Sequence, residues 1–190
     1  IAKNVIAEDF RKAHKDAMVV FVNFMDVGDS ENIAERLSDA VSKGFSEAFP
    51  TRAWISAARG YLSHFSISVT VDPITQLPSL EIAGKHDKPA RSISELFESL
   101  KRVSEDHRLL LILDEFQDIS RVPQATARFR ESMQELSSCS VLILGSKQRL
   151  LNELFGSSRS AFFNYGDEQV LGPLEIDDWF PYYNMRLKEK

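Results

Sequence analysis

Two adjacent carboxylates, Asp114 and Glu115, directly follow the aliphatic run Leu109-Leu-Leu-Ile-Leu113. Such a run reads as a strand buried on both faces of a parallel sheet, and in sheets of that kind ligands bind at the carboxyl ends of the strands. The strand would hold both carboxylates rigidly at the rim of the core. One of them can hold Mg²⁺ through its water shell while the other polarises an attacking water, the division of labour used in nucleotide hydrolysis. A second run, Ser140-Val-Leu-Ile-Leu144, ends in Gly145-Ser146. A hydroxyl at that neighbouring tip could touch both the water and a γ-phosphate. A third run, Ala17 to Met25, ends in Asp26. Strands also end in acidic residues simply because the chain returns to solvent. The second polar-tipped strand, one helix after the first, favours the chemical reading.

Periodicity outlines the framework around these groups. Val5, Ile6, Phe10 and Ala13 recur at helical spacing. After the Ala17–Met25 strand, Asp26-Val-Gly-Asp-Ser30 supplies turn and cap residues for a helix whose apolar face is Ile33, Leu37, Ala40, Val41, Phe45 and Ala48, ended by Pro50. A second amphipathic stretch runs from Ala53 to Phe65, with Trp54, Tyr61 and Phe65 reading as core residues. The period then changes to two over Ser66–Val71 and Pro78–Gly84, which predicts a β-hairpin. Ser92-Ile-Ser-Glu95 has the form of a capping box opening a helix with Ile93, Leu96, Phe97, Leu100 and Val103 inward. Pro123 can start the next helix, with Phe129, Met133 and Leu136 on one side. A short helix holds Leu150, Leu151, Leu154 and Phe155, Gln169-Val-Leu171 is expected as a fourth strand, and a last helix begins near Asp177. Buried strands alternating with helices predict an α/β fold, a parallel sheet flanked by helices with an inserted hairpin.

Composition narrows the class. The 190 residues suit one domain, and a chain of that length buries about 70% of the surface its unfolded form exposes. The lone Cys139 can form no internal disulfide, and a small structural thiol is the expected role. With 23 Lys+Arg against 28 Asp+Glu, the net charge of −5 argues against a whole-chain nucleic-acid surface. No apolar run approaches the roughly 18 residues of a membrane span, so no membrane partner is expected and the localisation is expected to be cytoplasmic.

Leu109 to Asp118 resembles the Walker B segment of the archaeal-type ATPases, a branch of the AAA+ and STAND P-loop NTPases. Ser140–Ser146 looks like their sensor 1 strand. Leu150–Phe155, Phe162-Phe163 and Val170–Leu174 resemble the segments beyond sensor 1 in that family, and the hairpin between the first two strands is similar too. The resemblance runs in order over nearly the whole chain. It implies a P-loop NTPase-like sheet, ATP as ligand and Mg²⁺ as cofactor. Asp114 would be the Mg²⁺-associated carboxylate, Glu115 the catalytic glutamate and Ser146 the sensor 1 residue. Arg159 stands where that family places an arginine finger acting on a neighbouring subunit's nucleotide, which would imply a homo-oligomer or a protein partner. The other reading of Arg159 is a solvated loop residue.

The departure from the family is the phosphate loop: no G-x-x-x-x-G-K-[ST] occurs in the 190 residues. In the family that loop precedes the first helix, on a strand lying between the sensor 1 strand and the last one. The expectation is therefore that residues 1–190 form a truncated ATPase core with an inserted helix and hairpin at about 50–91. Its central Walker A strand is missing, and the Walker A loop and lid lie outside the chain. Such a core alone should bind ATP feebly or not at all.

A rival reading is a degenerate nucleotide-fold module that binds protein or nucleic acid and hydrolyses nothing. Arg121, Arg128, Arg130, Lys147 and Arg149 would contact nucleic-acid phosphates or another subunit, against the alternative of a solvated helix face. His14, His64, His86 and His107 show no metal-ligand spacing, and G-x-S-x-G is absent.

Overall fold

The computed structural model describes residues 2–49, 56–57, 60–61, 67–71, 73, 78–82, 89–173 and 175–188. Its centre is a parallel sheet of β1 (Met18–Asn23), β4 (Leu109–Asp114) and β5 (Cys139–Ile143), in the order β1-β4-β5. Met18 pairs with Leu109 and Asn23 with Asp114, while Leu109 pairs with Cys139 and Leu113 with Ile143. The polar tips of all three strands therefore lie at one end of the sheet. A separate antiparallel hairpin, β2 (Ile67–Val71) and β3 (Pro78–Ile82), stands where alternation predicted it. Most of the amphipathic stretch at 53–65 lies outside the described residues, although 56–57 and 60–61 are helical.

The period-two alternation of side chains sorts the sheet into two faces of unequal cover. Met18, Val20 and Val22 of β1 and Leu109, Leu111 and Leu113 of β4 enter the main core. Helices α2 (Ser30–Ala48), α3 (Pro89–Asp106) and α4 (Ala125–Gln134) cover that face with Ile33, Leu37, Phe45, Leu96, Leu100 and Phe129. Each such side chain, fully buried, contributes about 1.5–3 kcal/mol. The Asp29 carboxylate caps α2 by accepting from the Asn32 N–H at 2.8 Å. Gly44 lets α2 settle on β1, since a Cβ there would stand 2.8 Å from the Val19 carbonyl oxygen. The opposite face, Val19, Leu110 and Ile112, is joined by Ala7 and Phe10 of α1 (Ala7–Ala13).

Several expectations are corrected. A π-helical turn over Ala2–Ile6 precedes α1 and shifts its phase, so Val5 and Ile6 point to solvent while Ala7 and Phe10 turn inward. Helix α3 starts a turn before the supposed capping box, with Pro89 as its first residue, a position where the missing N–H costs nothing. Ser92 thus lies inside the helix, and Glu95 accepts from Arg91 Nε at 2.8 Å instead. Pro123 sits in a turn before α4, whose N-cap is Gln124 in the left-handed region at φ 63°.

The expected fourth strand, Gln169–Leu171, is not a strand: residues 167–173 are irregular, and Val170 and Leu171 are 62% and 83% exposed. A strand needs a neighbour, and among the described residues β5 pairs with β4 alone. For the same reason β5, expected to be buried, is only partly so, with Ser140 exposed. The helices α5 (Gln148–Phe155) and α6 (Ile176–Lys188) lie where predicted. Among the described residues, no helix is long and apolar enough to cross a membrane.

Candidate functional site

The site begins with the way β4 ends. Glu115 adopts a left-handed conformation, φ 51° and ψ 37°, which for a residue with a side chain costs about 1–2 kcal/mol. This sharp reversal launches a 3₁₀ turn over Phe116–Arg121, which the sequence pattern did not predict. It also brings the Phe116 N–H to the Leu144 carbonyl at 3.0 Å, tying the ends of β4 and β5 together. Phe116 is driven beneath the turn. There it meets Phe24, Phe129 and Phe162 with ring centroids 6.3, 5.7 and 5.1 Å away, a rigid aromatic floor under the carboxylates.

Above that floor the strand tips converge. Asp114 Oδ1 accepts from the Glu115 N–H at 3.0 Å. Glu115 Oε2 accepts from Ser146 Oγ at 2.9 Å and from Gln117 Nε2 at 2.6 Å. Asp114, Glu115 and Ser146, singled out from sequence, are thus brought together across two strands. Arg159 is not part of the group: it lies exposed, with its backbone N–H 3.4 Å from Ser157 Oγ. No hydrogen bond or ion pair links it to the carboxylates among the described residues.

The structure adds a second cluster beside the first. Asp118 is fully buried and accepts from Lys147 Nζ at 2.9 and 3.2 Å and from the Asp26 N–H at 3.0 Å. Arg121 reaches both Asp118, at 3.5 Å, and Asp26, at 3.3 Å. Burial alone would raise the Asp118 carboxyl. The hydrogen bonds from Lys147 and the Asp26 amide, with the nearby positive charges, hold it below its ordinary value instead. Asp118 therefore clasps the chain after β1, after β4 and after β5 at one point. Sequence reasoning places Arg121 and Lys147 in a basic patch and assigns no partner to Asp118. The pairing spans 29 residues of chain between Asp118 and Lys147, so no local spacing signals it.

No protein-family model and no curated sequence matches this chain. The other basic residues of that patch have partners within the protein: Arg128 with Gln124 and Arg149 with Glu153 on their own helices or turns, and Arg130 with the distant Ala161 carbonyl and Tyr165 ring. Burial pushes the Cys139 thiol up to about 12, which leaves it protonated and unreactive at neutral pH, in keeping with a structural role.

The donor set also bears on Mg²⁺. Among the described residues, no group of three or more His, Cys, Asp and Glu side chains is disposed to hold a metal ion by itself. Mg²⁺ at nucleotide sites commonly needs only one or two protein carboxylates, with phosphate oxygens and water completing its shell. Asp114 fits that requirement. Its Oδ1 is occupied by the Glu115 amide, and no protein donor among the described residues takes its Oδ2.

Proposed function

We propose that this chain carries the hydrolytic half of an ATPase site of the AAA+/STAND type. The observation that supports the reading is the meeting of Glu115 Oε2 and Ser146 Oγ, 2.9 Å apart, at the tips of paired parallel strands beside Asp114. Glu115 accepts a proton from the attacking water as its oxygen adds to the γ-phosphorus. The bond to the β,γ-bridging oxygen breaks, and ADP and inorganic phosphate leave. Ser146 orients the glutamate and reaches toward the γ-phosphate. Asp114 would hold the Mg²⁺ that arrives with the nucleotide. Mg²⁺ supplies charge neutralisation on the phosphates, and the protein supplies position.

The side of β5 that no described strand pairs with fits the same reading, because the resembled family pairs its phosphate-loop strand beside sensor 1. The 190 residues contain no phosphate loop, so the grip on the β- and γ-phosphates would come from sequence outside them. Coupling to a conformational change in a partner or oligomer belongs to the proposal as well, with Arg159, exposed on its loop, as the residue a neighbouring nucleotide would meet.

The rival, a nucleotide-fold module that binds protein or nucleic acid without hydrolysis, is separated by experiment. In the complete gene product, Asp114→Asn should weaken the Mg²⁺ dependence of ATP binding. Glu115→Gln should lower turnover at least about 100-fold with ATP still bound. Binding of ATP with no hydrolysis by the unaltered protein would favour the module.

A further inference from the structure

Gln117 is fully buried, yet among the described residues its amide oxygen Oε1 has no hydrogen-bond partner. An orphaned buried oxygen is destabilising, and an apolar side chain of the same length would avoid it. The other end of the amide shows what the arrangement achieves. Its Nε2 donates to Glu115 Oε2 at 2.6 Å, on the same oxygen that Ser146 Oγ approaches at 2.9 Å. A carboxylate only accepts, so the amide must turn its nitrogen toward Glu115 and its oxygen away. That oxygen faces Gly145. A Cβ at Gly145 would collide with Gln117 Oε1 and would stand 2.9 and 3.0 Å from the Leu151 methyl carbons.

We propose that Gln117 is a positioning residue: with Ser146 it pins one oxygen of Glu115 and leaves the other to meet the attacking water, and Gly145 is the clearance that admits it. The inference rests on the reading of Glu115 as the hydrolytic base. Neither donor alone fixes a carboxylate, which can still rotate about a single hydrogen bond. Two donors from different elements, one on the 3₁₀ turn and one at the tip of β5, define its plane. Among the described residues no hydrogen-bond donor from the protein reaches Glu115 Oε1. The glycine before Ser146 is accordingly required by what lies over it.

The test uses the complete gene product and Gln117→Met, which keeps the length of the side chain and removes the amide. Turnover should fall about 10- to 100-fold, the penalty for a misplaced catalytic group, with KM for ATP within a factor of two. The midpoint of thermal unfolding should hold or rise, because the orphaned oxygen is gone. Gly145→Ala should lower turnover in the same way, and in a Gln117→Ala background it should add little, since the collision with Gln117 is gone and the Leu151 methyls can turn into the space it leaves. Independently of activity, the Gln117 side-chain amide signal in ¹⁵N NMR, identified by its loss in Gln117→Met, should move on Glu115→Ala. If Glu115→Gln abolishes hydrolysis and Gln117→Met does not change kcat, the positioning role is wrong and the base assignment stands. If Glu115→Gln hydrolyses as fast as the unaltered protein, the base assignment itself is wrong. An amide signal unmoved by Glu115→Ala overturns the contact.

Discussion

β4 and β5 share an aliphatic half, Leu111-Ile-Leu113 beside Val141-Leu-Ile143, and live in different surroundings. Ile112 and Leu142 sit side by side in register, one fully buried and the other only partly. The difference lies in their neighbours. β4 is flanked by β1 and β5, whereas β5 among the described residues has β4 alone. Aliphatic content thus does not decide how much a strand contributes to stability; the elements on either side of it do. The site inherits this asymmetry. Its carboxylates stand on the firmly held strand and on the turn over the aromatic floor, while Ser146 and Lys147 approach from the less supported one.

The largest effect that should expose this contrast is on stability. Ile112→Ala should cost about 3–4 kcal/mol and Leu142→Ala about 1–2 kcal/mol, the second reduced in proportion to the area it still exposes. Urea unfolding of both variants measures the two costs, and equal values would mean that β5 is as well packed as β4.

Next in size is the clasp between the strand ends. Asp118→Asn removes a buried charge that Lys147 and Arg121 face, both half-exposed, and should cost about 1–3 kcal/mol at neutral pH. Because the folded carboxyl sits below its ordinary value of 3.8, its contribution is fully present above that value. It disappears as pH falls through the lower, folded value. The gap between Asp118→Asn and the unaltered protein should therefore close in strong acid, as followed by unfolding at stepped pH. A gap of constant size down to the most acidic step would show that the charge is not what Asp118 contributes.

The smallest effect is expected beyond the sheet. Leu171→Ser replaces a side chain that is 83% exposed and should shift stability by less than about 0.5 kcal/mol. A cost comparable to that of Leu142→Ala would mean that this segment packs against β5 after all.

Much of the fold can be read from the chain, and the failures share a cause. Continuous apolar runs locate β1, β4 and β5, a period of two locates the hairpin and a period of 3.6 locates α2, because each signal is contained within its own element. The carboxylates Asp114 and Glu115 are legible because they break an aliphatic run at its end. Ser146 is legible because it ends another. Gln117 and the Asp118–Lys147 pair are not, since their roles depend on a left-handed turn at Glu115 and on contacts between distant segments. The supposed strand at Gln169–Leu171 shows the same limit. Its residue types favour extension, but among the described residues no strand pairs with it. The start of α3 differs for another reason: the capping pattern at Ser92 reads equally well inside a helix, and Pro89 is the residue that opens it.

The functional reading stands or falls with Glu115, held at the joined ends of β4 and β5, as the base of a hydrolytic site. Single-turnover hydrolysis of bound Mg²⁺·ATP by the complete gene product and its Glu115→Gln variant tests that role most directly. Both should bind ATP with similar affinity, and the variant should release phosphate at least about 100-fold more slowly. Equal rates of phosphate release from the two bound complexes would contradict the assignment.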